Sequence, residues 1–254
     1  MSGAKMQQKI AIVTGAARRI GRAISLRLVS ENFRVAIHYG ASRHAAEALV
    51  RQIEAEGGRA IALGGDLANP LEATRIVEET AENLGPVDLL VNNAAIFERD
   101  SIENLDLTVW RRQFAVNLES PVFLAAAFSR ALPADRRGAI VNVIDQRVLR
   151  LTPRNLSYTL AKSALWTATQ TLAQALAPRI RVNAVAPGPT FANPRDGENG
   201  LAHETAGTLL QRRVAGEEIA EAVAYLAKAE SVTGQLIAVD AGQHLGWRTP
   251  DIVD

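Results

Sequence analysis

The chain contains no cysteine. Disulfides, thiolate nucleophiles and cysteine metal sites are therefore excluded, and a reducing compartment is compatible with that absence. Long apolar runs are missing too. The first one, Ile10 to Val13, follows a short polar N-terminus and meets Thr14-Gly15 at once. No later stretch reaches the ~18 uncharged apolar residues of a membrane span. Charge of one sign is not in excess. With 28 basic and 27 acidic residues and a formal charge of +1, nothing points to nucleic acid or an anionic membrane as partner. The histidines, His38, His44, His203 and His244, share no ligand-like spacing, so no metal site is expected. Repeats, low-complexity tracts and linkers are also absent. What remains is a soluble, cytoplasmic chain read as one domain over 1–254, whose 48% hydrophobic content supplies one large core.

Short apolar runs alternate with longer segments of helical period. The pattern predicts strands at 10–14, 34–39, 60–63, 87–92, 139–143, 181–186 and 235–239. It predicts helices at 20–30, 44–56, 70–84, 110–132, 158–177 and 217–228. Seven strands alternating with helices predict a Rossmann-type, doubly wound α/β fold with a parallel sheet and helices on both faces. Ligands of such sheets bind beyond the carboxyl ends of the strands. The segment 187–207 departs from the pattern, with Pro189 and Pro194 and four glycines, Gly188, Gly197, Gly200 and Gly207. It follows a strand's carboxyl end and is read as a substrate lid, the alternative being a disordered insertion.

The first strand leads into Thr14-Gly15-Ala16-Ala17-Arg18-Arg19-Ile20-Gly21. Gly15 permits a tight turn, small alanines let backbone approach a ligand, and the helix that opens here offers free N–H groups to a pyrophosphate. After the second strand an acidic residue would hold the ribose hydroxyls of NAD. Here the sequence is His38-Tyr39-Gly40-Ala41-Ser42-Arg43, without an acid. Arg18, Ser42 and Arg43 offer charge and donors suited to a 2′-phosphate, so NADP(H) is expected. Asp66-Leu67 after the third strand could face the adenine, and Asn93-Ala94 after the fourth lie where the cofactor passes.

Tyr158 and Lys162 stand at i, i+4 and project from one helix face. An ammonium about 4 Å from a phenol, at a dielectric near 20, is worth about 4 kcal/mol, or about three pKa units. Lys162 is therefore expected to bring Tyr158 toward neutrality as a general acid. Asp145 stands thirteen positions before the tyrosine. An ionised carboxylate there repels the negative charge that ketone reduction builds on oxygen. Beside a C=N bond it instead favours the proton that nitrogen must gain. The bland alternative for Asp145 is a turn cap.

Taken together, Thr14-Gly15 to Gly21, Asp66, Asn92-Asn93-Ala94, Asn117, Tyr158-x-x-x-Lys162, Pro187-Gly188 and Val239-Asp240-Ala241-Gly242 resemble the short-chain dehydrogenase/reductase family. The resemblance covers Ile10 to about Gly242. It implies Tyr158 as the acid and Lys162 on the nicotinamide ribose. It also implies Asn117 in a water relay, Gly15, Arg18, Ile20, Gly21, His38, Pro187 and Gly188 around the cofactor, and a homotetramer or homodimer. Three residues depart from the common pattern: Arg19 replaces its middle glycine, Asp145 its usual serine, and Phe97 follows the asparagine motif. These resemble the pteridine reductase branch, in which the arginine and phenylalanine hold a pterin ring and the aspartate works with the tyrosine. The alternative for Phe97 is packing at a subunit contact. Trp166 is read as packing, and Trp247 and Arg248 as a tail that could reach a neighbouring subunit's site. The expected activity is NADPH-dependent reduction of a pterin or similar C=N heterocycle. The competing readings are a carbonyl reductase acting on a 3-oxoacyl thioester, sugar or polyol, and a non-catalytic NADP(H)-binding regulator.

Overall fold

The computed structural model describes residues 8–193 and 196–247. Seven strands form one parallel sheet: β1 (Lys9–Val13), β2 (Phe33–Tyr39), β3 (Ala60–Gly64), β4 (Leu89–Asn92), β5 (Gly138–Val143), β6 (Ile180–Pro187) and β7 (Leu236–Val239). Their spatial order is 3-2-1-4-5-6-7, with every neighbouring pair parallel. Strands buried on both faces read as continuous Val/Ile/Leu runs, as Ile10-Ala11-Ile12-Val13 does. Successive side chains of β1 serve opposite faces. Ala11 and Val13 pack under α1 (Arg19–Ser30), α2 (Arg43–Ala55) and the helix Gly216–Lys228. Ile10 and Ile12 pack under α3 (Leu71–Leu84), the helix Ser120–Ala131 and the helix Leu156–Leu176.

The long helix expected at 110–132 begins earlier and is interrupted. It runs as α4 (Leu107–Phe114), a π-turn over Ala115–Glu119 and α5 (Ser120–Ala131). Asp106 caps its start by accepting from Val109 N at 2.9 Å. The next helix, α6 (Leu156–Leu176), carries Tyr158 and Lys162. The segment expected to be an irregular lid contains α7 (Gly197–Ala206) before α8 (Gly216–Lys228). Only Leu201 of α7 is buried, so an apolar stripe that would reveal the helix is missing from the sequence. Arg248 lies outside the described residues, and Trp247, just inside them, is exposed. Among the described residues no helix is long and apolar enough to cross a membrane.

Candidate active site

Strand order reverses between β1 and β4, and open parallel sheets bind ligands at such a point. Thr14 closes the gap there. Its hydroxyl accepts from the backbone N–H groups of Asn93 and Ala94, each at 2.9 Å. Asn93 Nδ2 donates back to Thr14 O at 2.8 Å. Gly15 follows with φ of +60°, and a Cβ there would stand 2.9 Å from Ala94 Cα. A left-handed turn pressed against backbone requires glycine. Arg19 also has positive φ, +53°, which explains why glycine is the usual residue at this point; an L-residue there costs about 1–2 kcal/mol. Its guanidinium donates to Ala192 O and lies 5.6 Å from the Phe191 ring centre, so it ties the first turn to the loop after β6.

Beyond these strand ends opens a cleft of about 1270 Å³. A single small-molecule site occupies about 300–1,000 Å³, so this volume suits a cofactor and a second molecule together. Gly15, Arg18, Arg19, Ile20, Gly21, His38, Asp66, Leu67, Asn93, Ala94, Phe97, Asp145, Tyr158, Lys162, Pro187 and Gly188 all line it. Ser42 does not, and neither does Arg43, whose guanidinium turns to Glu47 at 2.7 Å one helical turn on. Of the three groups expected to meet a 2′-phosphate, Arg18 is therefore the one that reaches the cleft.

His38 lines the cleft through a ring that is already committed. It is buried, its Nδ1 accepts from Gly15 N and its Nε2 donates to Gly65 O, both at 3.2 Å. Burial holds its pKa down to about 4, so the neutral ring braces the turn. Asn117 is likewise committed elsewhere. Its amide donates to Ile96 O and Gln113 Oε1 and accepts from Ile96 N. The side chain, on the π-turn, braces the strand exit toward Phe97 and does not line the cleft.

Sequence gave no signal for the device that sets Tyr158 in place. Asp100, buried, accepts from Ser157 N with both carboxylate oxygens, at 3.2 and 3.1 Å. A carboxylate at a helix N-terminus satisfies free N–H groups and complements the dipole. Tyr158 then points its hydroxyl at Asp145, donating to Oδ2 at 3.0 Å. The other oxygen, Oδ1, accepts from Arg147 N at 2.9 Å. Asp145 is thus both turn cap and active-site acceptor, one oxygen for each role. Phe97 meets Tyr158 edge to face, with ring centres 4.7 Å apart.

The expected tuning of Tyr158 is corrected. Its pKa is raised well above the usual tyrosine value, by burial first and then by the Asp145 charge. Lys162 does not offset this, because its Nζ turns to Val143 O at 2.9 Å and lies 5.9 Å from the Tyr158 ring centre. Burial lowers the Lys162 pKa to about 8, against a smaller opposing pull from Asp145. Tyr158 is therefore a neutral hydroxyl held ready to donate. Arg147, also missed in the sequence, places its Nη1 3.4 Å from Asp145 Oδ2 and its guanidinium carbon 5.3 Å from the Phe97 ring centre. Trp166 packs near Ile144 and Leu165, as expected. Among the described residues no group of three or more His, Asp or Glu is placed to hold a metal.

A family model described as Enoyl-(Acyl carrier protein) reductase matches residues 15–244. The chain belongs to the short-chain dehydrogenase/reductase family. It is accordingly an oxidoreductase. The 3-oxoacyl-(acyl-carrier-protein) reductase FabG of Staphylococcus epidermidis is 34% identical over 245 residues, 93% of this chain and 99% of that protein. An uncharacterized oxidoreductase of Methylorubrum extorquens is 35% identical over 246 residues, 94% of this chain and 98% of that one. Among solved structures, FolM Alternative dihydrofolate reductase 1 from Brucella canis, complexed with NADP, superposes with a TM-score of 0.93. It is 46% identical, over 97% of this chain and 98% of its own. These names span several chemistries, so the substrate must be argued from the site.

The residues of the cleft fit a nicotinamide dinucleotide. The Lys162 ammonium carries three donors, is buried, and has one acceptor among the described residues, Val143 O. Two donors are left for ribose hydroxyls. The amino end of α1 and the Arg18 side chain border the same space.

Proposed function

We infer that the chain uses NADPH to reduce the C=N bond of a dihydropterin-type heterocycle, either dihydrofolate or a simpler dihydropterin. The observation that carries this reading is the Tyr158 hydroxyl donating to the Asp145 carboxylate at 3.0 Å, beside the Phe97 ring. A negative charge in that place opposes an oxyanion and favours positive charge on a ring nitrogen. The likeness to the Brucella dihydrofolate reductases supports the same substrate class, and the NADP in those structures supports the cofactor. So do the missing acid after β2 and the position of Arg18.

When bound, the reduced nicotinamide supplies hydride to the carbon of the C=N bond. The residues supply the rest. Phe97 offers a face for the ring. Asp145 accepts from ring N–H or amino groups and raises the basicity of the nitrogen that must be protonated. Tyr158, kept neutral by its raised pKa, gives its hydroxyl proton to that nitrogen. Lys162, charged below about pH 8, keeps two donors for the ribose hydroxyls. Arg19 pins the loop after β6 over the cofactor side of the cleft.

The carbonyl reductase reading draws on the FabG likeness, and it requires Asp145 to be neutralised during turnover. The regulator reading leaves the Tyr158–Asp145 contact without a purpose. Exposed Leu107, Phe123 and Leu160 on α4, α5 and α6 support assembly into a homodimer or homotetramer. The reading is tested by incubating the protein with NADPH and 7,8-dihydrobiopterin or dihydrofolate and identifying the product by chromatography. A tetrahydropterin product is expected. Its absence, with turnover of an acetoacetyl thioester, would establish the carbonyl alternative.

A further inference from the structure

Arg147 stands among three partners, and its guanidinium makes only long contacts with them. Its backbone is fixed, since its main-chain N–H donates to Asp145 Oδ1 at 2.9 Å. Its side chain is less committed. Nη1 lies 3.4 Å from Asp145 Oδ2, and Nη2 lies 4.0 Å from Glu204 Oε1 on α7. A strong guanidinium–carboxylate bond measures about 2.7–2.9 Å, so both contacts are long. The guanidinium carbon sits 5.3 Å from the centre of the Phe97 ring, within cation–π range. Two carboxylates therefore compete for one long side chain that rests against an aromatic ring.

Those same features are what a flat heterocycle would use. A ring stacking on Phe97 and donating to Asp145 needs the aromatic face and Oδ2. Asp145 Oδ1 is held by the Arg147 backbone, and Oδ2 already receives Tyr158 and the guanidinium. Ring and guanidinium thus contend for the same ground. We propose that Arg147 is a displaceable counter-ion: it yields Phe97 and Asp145 to the substrate ring and moves onto Glu204, so that ring binding engages helix α7. The proposal rests on the heterocycle reading of the site.

Glu204 is suited to receive it. It shares one side of α7 with Gly200 and Leu201, and all three line the cleft. Its side chain is 51% exposed, against 20% for Arg147. An ion pair at that depth is modest, so the transfer is reversible. Movement of Arg147 toward Glu204 also takes the charge away from Asp145 as the ring arrives. The carboxylate is then free to accept from the ring.

A double-mutant cycle on KM for 7,8-dihydrobiopterin tests the idea. The proteins are wild type, Glu204→Gln, Arg147→Met and the double variant, each checked for NADPH binding by fluorescence. Removing the receiving carboxylate should raise KM about fivefold when Arg147 is present, the size of a coupling between neighbouring charges. In the Arg147→Met background the same change should have no effect. Arg147→Gln provides a second uncharged background should Arg147→Met fail to bind NADPH. Equal effects of Glu204→Gln in both backgrounds, or no effect in either, would overturn the transfer while leaving the heterocycle reading intact. If wild type does not turn over the dihydropterin at all, the heterocycle reading falls and the transfer falls with it.

Discussion

Replacing Asp145 by asparagine removes one charge and almost no volume. The side-chain oxygen can still accept from Arg147 N, where the carboxylate does at 2.9 Å, so the turn should persist. The hydroxyl of Tyr158 loses a charged acceptor now 3.0 Å away. At about 4 Å from a reacting atom, a unit charge is worth about 1 kcal/mol in water and about 4 kcal/mol at a dielectric near 20. The side chain of Asp145 is 16% exposed, nearer the second limit, although Arg147 offsets part of its field. The span of about 1–4 kcal/mol corresponds to about fivefold to a thousandfold in rate. Asp145→Asn should lower kcat/KM for 7,8-dihydrobiopterin by a factor in that range. It should leave kcat/KM for a simple ketone or acetoacetyl thioester unchanged or higher, because repulsion of the developing oxyanion is gone. The dissociation constant for NADPH should stay near its original value. Steady-state rates on the two substrate classes measure the effect. Equal losses on both, or no loss on the pterin, would refute the argument that the Asp145 charge selects the bond.

Two further predictions concern titration of buried groups. Lys162 has a folded pKa of about 8 against 10.5 unfolded, so between those values the unfolded chain binds a proton that the folded chain lacks. Stability should therefore rise with pH across that window, by up to about 3 kcal/mol for 2.5 units (10.5 − 8), and the rise should vanish in Lys162→Met, as read by denaturant midpoints from pH 7 to 10.5. His38 works at the acid end, with about 4 folded against 6.5 unfolded. As pH falls from 6.5 toward 4 the unfolded chain gains the proton first, so stability should drop by up to about 3 kcal/mol (6.5 − 4 is also 2.5 units), and His38→Gln should flatten that slope. A profile in either case indistinguishable from the corresponding variant's would show that burial at that residue does not govern the titration.

The parallel sheet was legible because each strand is a short apolar run bounded by turn residues, and a strand buried on both faces needs nothing more. The π-turn at Ala115–Glu119 was not, since the apolar period continues through it. Helix α7 escaped because its single buried residue, Leu201, makes no stripe. In the site, Tyr158, Lys162 and Asp145 could be placed by spacing along one helix and its preceding strand. Their electrostatics could not. The i, i+4 spacing brings Lys162 near Tyr158 but does not show that Val143 O takes its ammonium, nor that burial and Asp145 dominate the phenol. Asp100, the contacts of Arg147 with Phe97 and Glu204, and the bracing roles of His38 and Asn117 depend on distant segments, which no local pattern encodes. Arg43 pairs within its own helix, and the i, i+4 Glu47 was a readable sign that it would.

The role proposed for Asp145 is to turn a hydride-transfer site toward C=N. The most direct measurement is the ratio of kcat/KM for 7,8-dihydrobiopterin or dihydrofolate to that for an acetoacetyl thioester, with wild-type protein and saturating NADPH. A ratio well above one is expected, falling in Asp145→Asn. A ratio below one in the wild-type protein would contradict it.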